Sequence, residues 1–357
     1  ERATATADAI AATARATQVK TAAEVEIARS EYTSAAANFI PKTTYNDGST
    51  YIGAMKDNER HGFGTYTQRD QNKKIKFVHT GLWLKDKRAG IGTHIQYHEN
   101  GDIAWKYTGA WKDNALDGQG IREWMPNKTY PYTQIYKGAF RDGSTHGKGV
   151  LFQINKDQVI ESIHHGMFSE NIITKGLFIK NYPDGKIKWA YRGDFINDEF
   201  HKGTYYEFRN EHLKFVYHGD WKNNQKQGQG DVRFPDGRLI YKGQWEKDDM
   251  HGNGMFYEYK DGQLAKLYEG TFQTQPKKQN EGTLKTKFGT FNIKWENARW
   301  TVTPIDDPHD HKRKANDIES PLDTLILAAH SDNLLSMNSE APLAKKHRPL
   351  TAKATLP

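Results

Sequence analysis

The sequence predicts an all-β repeat protein: an elongated, twisted antiparallel sheet of about nine stacked β-hairpins, with an alanine-rich α-helix before it and a largely disordered tail after it. Three observations carry this. One glycine–aromatic pattern returns nine times at intervals of 24 to 29 residues. All 31 glycines and all 9 tryptophans fall between Tyr45 and Trp300. Apolar residues make up only 36% of the chain while aromatics reach 12%, a balance suited to a thin structure held by flat rings and not by a thick aliphatic core.

Residues 1–44 come first and are of different material. Alanine dominates the first 40 residues, glycine is absent, and Pro41 ends the pattern. Ala5, Ala9, Ala12, Ala16, Val19, Ala23, Ile27, Ser30, Ser34 and Ala37 are spaced three or four apart, close to a heptad seam. A helix over 3–37 would be on the order of 50 Å long. Because its seam is mostly alanine it gains little burial alone, so a coiled-coil or partner-bound helix, a solvated one and one docked on the sheet are all compatible with it.

Residues 45–300 hold the repeats. Most units open with an aromatic residue, then Gly and a second aromatic at alternate positions, as in Tyr107-Thr108-Gly109-Ala110-Trp111. The leading glycines are Gly53, Gly81, Gly109, Gly138, Gly166, Gly193, Gly219, Gly243 and Gly270. Six units add a pair nine and eleven positions later: Gly62 and Gly64, Gly90 and Gly92, Gly118 and Gly120, Gly147 and Gly149, Gly228 and Gly230, Gly252 and Gly254. Alternation places Tyr107, Gly109 and Trp111 on one face of a strand, and the polar stretch that follows turns the chain back into a second strand. Glycine beside a large ring leaves a slot without a Cβ, which a ring of the same or the next hairpin fills. The HGFG quartet at 61–64, with HGKG and HGNG later, is therefore architecture. An oxyanion hole would come with a Gly-x-Ser-x-Gly elbow, which is absent.

The pattern resembles the MORN repeat (membrane occupation and recognition nexus), most closely where KDNERHGFG follows Met55 and EKDDMHGNG follows Trp245. The resemblance covers about seven tenths of the chain. Most intervals exceed the family's usual one, and units five, six and nine read as losing their final glycine to Phe178, Tyr205 and Leu284. Eighteen strands about 4.8 Å apart make a ribbon on the order of 85 Å long, with residues 288–300 as its C-terminal cover. The ring-lined face predicts a shallow groove for a partner helix or peptide, floored by Tyr107, Trp111, Tyr136, Phe140, Tyr191, Phe195, Tyr217, Trp221, Tyr241 and Trp245.

Residues 301–357 read as mostly disordered, with a short amphipathic helix at 320–330 whose stripe of Leu322, Leu325 and Ile326 is a docking motif. His309 and His311 lie among acids but read as solvated tail chemistry, and no metal or other cofactor is expected. The chain contains no cysteine, which excludes disulfides and thiol catalysis. It has no apolar run long enough to span a membrane as a helix, and since it begins at Glu1 a removed targeting or anchor segment is left open. The net charge of +7 lies in the repeats, where Lys73, Lys74, Lys76, Lys277 and Lys278 form spots able to meet acidic phospholipids; no nucleic-acid partner is expected.

Three function classes follow. The resemblance implies a non-enzymatic scaffold for protein–protein contacts in a multi-subunit assembly, inside the cell at a membrane, the cytoskeleton or a cilium, with self-association open to it. The alternative is a peripheral protein binding acidic phospholipids through its repeats. An enzyme is disfavoured because flanks of 44 and 57 residues leave no room for a catalytic fold.

Overall fold

The computed structural model describes residues 42–128, 130–272, 280–286, 289–296 and 299–304. The chain divides after Asp198 into two compact units. The first contains β1 (Lys42–Thr44), β2 (Thr50–Lys56), β3 (Glu59–Arg69), β4 (Ile75–Leu84), β5 (Lys87–Tyr97), β6 (Ile103–Lys112), β7 (Ala115–Trp124), β8 (Thr133–Arg141), β9 (Ser144–Ile154), β10 (Ile160–Ser169), β11 (Ile172–Asn181) and β12 (Ile187–Ile196). Each strand pairs antiparallel with the next in sequence. The second unit repeats this arrangement through β13 (Glu199–Arg209), β14 (His212–Lys222), β15 (Gln225–Arg233), β16 (Leu239–Glu246), β17 (Asp249–Lys260), β18 (Gln263–Phe272), β19 (Asn280–Thr286), β20 (Gly289–Glu296) and β21 (Arg299–Pro304).

The expected repeats correspond to β2 to β19, and the residues expected to form a cover lie in the hairpin of β20 and β21. β1 is an added strand, pairing Lys42 with Ile52, so strand structure begins three residues before the expected border at 45. At the other border β21 continues to Pro304, four residues into the stretch read as tail.

Two expectations need correction. Among the described residues every element is a strand and none is a helix, so the protein is all-β there and coiled coil is not a description of it. Residues 1–41, the helix at 320–330 with Leu322, Leu325 and Ile326, and Lys277 and Lys278 lie outside the described residues.

The second correction concerns the glycines. One glycine from each of β2 to β12 forms a row across the strands of the first unit: Gly53↔Gly64↔Gly81↔Gly92↔Gly109↔Gly120↔Gly138↔Gly149↔Gly166↔Gly176↔Gly193. Gly203↔Gly219 and Gly270↔Gly282 do the same in the second. Gly176, Gly203 and Gly282 thus occupy the row, and units five, six and nine have kept the row glycine. What they lack is the other one. In the complete units the first glycine of the pair sits at a bulge with positive φ, as at Gly62 (67°) and Gly90 (57°), where L side chains are strained.

Short two-residue turns join the strands along one margin. Asp57-Asn58, Lys85-Asp86, Asp113-Asn114 and Asn223-Asn224 all have positive φ at both positions, the signature of a type I′ turn that matches strand twist. The second turn residue then clasps the preceding hairpin. Asp86 N–H donates to the Arg60 carbonyl (3.1 Å) while its carboxylate accepts from Arg60 N–H (2.9 Å), and Asn114 does the same to Arg88 (3.2 and 2.9 Å). Asp248 repeats this on Lys226. At Leu116 the opposing turn residue is Gly143, which keeps the backbone bond (3.0 Å) and has no side chain for the other.

Candidate interaction face

The ring face is built from the sequence pattern in a simple way. Tyr51, Tyr107, Tyr136, Tyr217 and Tyr241 lie over the row glycines of their own hairpins, and with Tyr191 they are at most 1% exposed. A Cβ on Gly120 would come 2.4 Å from the Tyr107 hydroxyl oxygen, and one on Gly109 2.6 Å, so only glycine leaves the ring its place. Each hydroxyl then donates to the carbonyl three residues on: Tyr107 to Ala110 (2.8 Å), Tyr51 to Ala54 (3.0 Å), Tyr217 to Asp220 (2.9 Å). Burial pushes these phenols up, Tyr51 to about 12 and Tyr107, Tyr136 and Tyr241 further.

The second ring of each unit ties it to the one before. Trp83 Nε1–H donates to the Gly64 carbonyl, Trp111 to Gly92 and Trp245 to Gly230, each at 3.2 Å. Rings meet edge to face, as Tyr107 does with Trp111 (5.3 Å, 88°) and Phe140 (5.1 Å, 86°). The ten rings from Tyr107 to Trp245 expected to floor a groove are all between 0 and 7% exposed. They are core, closed over by one another, and offer no open lining.

An accessible band lies beside that core in the first unit, nearer the longer loops. Tyr45, Tyr66, Phe77 and Trp105 are half-buried on the ring face. Arginines lie among them: Arg60 over Tyr66 (4.5 Å) and Trp83 (4.3 Å), Arg88 over Trp111 (4.7 Å), Arg122 over Trp105 (4.3 Å) and Trp124 (4.7 Å). These arginines are not among the candidates read from the sequence. Their signal was available: each follows a turn or faces a repeat tyrosine on alternate strand positions.

The charges in this band are unevenly matched. Arg60 pairs with Asp86 at 2.8 Å; burial raises the Asp86 carboxyl, but hydrogen bonds and charge from Arg60 outweigh it and hold the carboxyl low. Arg88, only 6% exposed, is met by the Asn114 amide oxygen (3.3 Å) and His94 Nδ1 (3.3 Å). Burial, with Arg60 adding repulsion, lowers it to about 10. In the second unit the corresponding cation is Lys226, lowered by burial but supported by Asp248, Glu207 and Asp249.

Two buried imidazoles complete the band. His79 takes the tyrosine place in its hairpin, with Gly92 beneath it, and His94 stacks on Trp105 at 4.7 Å. Burial, reinforced by Arg88, drives His79 to about 2 and His94 to about 3, so both are neutral. In unit five the buried ring is His164, stacked on Phe178 at 4.1 Å, and not the exposed neighbour His165 from which that unit was read.

The remaining candidates are placed as follows. The backbone carbonyls of His146 and His251 accept from Tyr136 (3.5 Å) and Tyr241 (3.4 Å), consistent with an architectural HGxG. Lys73, Lys74 and Lys76 are exposed at one turn, where the Lys74 ammonium donates to the Glu99 carbonyl (3.1 Å). Among the described residues no group of three His, Asp or Glu side chains is placed to hold a metal ion, and no helix is long and apolar enough to cross a membrane.

Comparison with known proteins agrees with this repeat. Residues 51–73, 107–127, 136–155, 217–237 and 241–263 match the MORN repeat family. These are the units that combine the slot tyrosine with both the bulge and the row glycine. The units with histidine in the slot, or without the bulge glycine, are not matched. MORN repeat-containing protein 3 of Xenopus laevis is 36% identical over 78 residues, covering 20% of this chain. The aligned part spans 32% of that relative's length.

Proposed function

The chain belongs to the MORN repeat family, and from that premise we propose that it is a non-enzymatic scaffold whose half-buried ring and arginine band docks a partner peptide. The observation that carries this is Arg88. A guanidinium held almost out of water without a carboxylate among its described partners is costly, and an arriving acid would offset that cost. Tyr66, Phe77 and Trp105 supply flat apolar contact beside it, so the ligand class is an acidic segment with apolar residues between its carboxylates. The wider assembly would be multi-subunit, with membrane, cytoskeletal or ciliary placement as the resemblance implies.

The test is a display library of random peptides panned against the full chain. Enriched sequences should alternate acidic and apolar residues and should bind Arg122→Gln and Trp105→Ser at least tenfold more weakly. Enrichment without acids, or equal binding to both variants, contradicts the reading. Binding to phosphatidylserine vesicles is the comparison arm. The lipid reading predicts binding that salt abolishes and that the exposed Lys73–Lys76 turn carries.

A further inference from the structure

The face opposite the rings contains a second apolar row. Register pairs Ile135 with Phe152, Phe152 with Ile163, Ile163 with Ile179 and Ile179 with Ala190, a continuous line across β8 to β12. Each of these lies an odd number of residues from its row glycine, so all point away from the ring face. A one-layer sheet leaves such a face to water. On β2, β4 and β5 that is what happens, since Ile52, Leu82 and Ile91 are 42, 43 and 51% exposed. Yet Phe152 and Ile163 are 4% exposed, Ile179 1% and Ala190 0%. Neighbours within a strand plane do not bury an isoleucine so completely, and the row therefore has a cover.

We infer that the cover is the chain's own N-terminal segment, residues 1–41, laid across the outer face of β8 to β12. Three features favour it. Its alanine seam from Ala5 to Ala37 is made of side chains small enough to approach a sheet closely. The segment carries five acidic and four basic residues, so docking on an apolar row brings a net charge of only one. Its length suffices: β9 lies eight strands from β1, about 38 Å at 4.8 Å per strand, whereas 41 residues span roughly 60 Å even wound as a helix. The segment would thus brace one unit's hairpins against each other, a role separate from the partner band on the ring face.

The absence of native cysteine makes the test clean. Ala190→Cys in the full chain should react with a maleimide at least tenfold more slowly than Ile91→Cys. Adding Ala9→Glu, Ala16→Glu and Ala23→Glu, which spoil the seam without breaking a helix, should raise the Ala190→Cys rate at least tenfold. The tail pair Leu322→Glu and Ile326→Glu should leave it unchanged. A benzophenone attached at Ile135→Cys, on the rim of the row, should cross-link to residues 1–41 of the same chain. Protection indifferent to the seam, protection lost with the tail pair, or cross-links to residues 305–357 or to another molecule would each overturn the inference.

Discussion

The hairpins β4–β5 and β6–β7 are neighbours with the same glycine slot and different rings in it. Tyr107 fills its slot and ends in a hydrogen bond to Ala110. His79 fills the slot over Gly81 and Gly92 but is shorter, and both of its ring nitrogens are buried without a hydrogen-bond partner. Packing alone accepts either ring. Only tyrosine reaches the carbonyl at the rim, and an imidazole without that bond is stable there only while neutral. The hairpin that gives up the tyrosine is also the one beside Arg60, Arg88 and Arg122, so the least self-satisfied core in the first unit underlies the proposed docking band.

The comparison breaks most severely if the slot itself is filled. Gly120→Val places carbon against the Tyr107 hydroxyl and the Gly109 backbone, and should cost about 4 kcal/mol in denaturant unfolding followed by tryptophan fluorescence.

Acid should separate the two hairpins next. The folded-state pKa values of His79 and His94, about 2 and 3, lie below the ordinary 6.5. The stabilisation from keeping them neutral is therefore complete above about pH 6.5 and is lost as pH falls below it, because the unfolded chain takes up protons that the folded one refuses. Between pH 7 and 5.5 the pair should cost roughly 2–3 kcal/mol. His79→Tyr should remove about half of that dependence.

At pH 7 the same substitution sharpens the comparison from the other side. The slot glycines are already present, so the new hydroxyl can reach the Leu82 carbonyl, and His79→Tyr should stabilise by about 1–2 kcal/mol. The smallest effect belongs to the turn clasp. Asn114→Gly keeps the positive φ that Asn114 adopts (73°) and deletes the one side-chain oxygen, which accepts from Arg88 N–H (2.9 Å) and more distantly from Arg88 Nε–H (3.3 Å). It should cost about 1 kcal/mol.

Much of this fold was legible because the ring–glycine alternation is geometric: period two puts Tyr, Gly and Trp on one face wherever they recur, and a missing Cβ marks where a ring lies. The glycine rows and the buried tyrosines follow directly. The role of each glycine was harder to read. Spacing alone does not tell the bulge glycine Gly62 from the row glycine Gly64, which is why Phe178, Tyr205 and Leu284 read as replacing a glycine that the row keeps at Gly176, Gly203 and Gly282. The candidate site was legible only in kind. Ring type does not reveal whether Trp111 closes on its neighbours or Trp105 stays half open; that depends on how far each strand extends past the row. Arg60, Arg88 and Arg122 read as ordinary strand charges until the register places them over rings, and the Asx clasps join residues about 26 apart that no local pattern connects.

The docking claim is tested most directly by hydrogen exchange on the full chain with and without a peptide enriched in the display experiment. The account predicts added protection at Tyr66, Phe77, His94 and Trp105 and on the strands that carry them, with none at the exposed Lys73–Lys76 turn. Protection centred on that turn, or on the exposed outer residues Leu82 and Ile91 while Trp105 is unchanged, would contradict it.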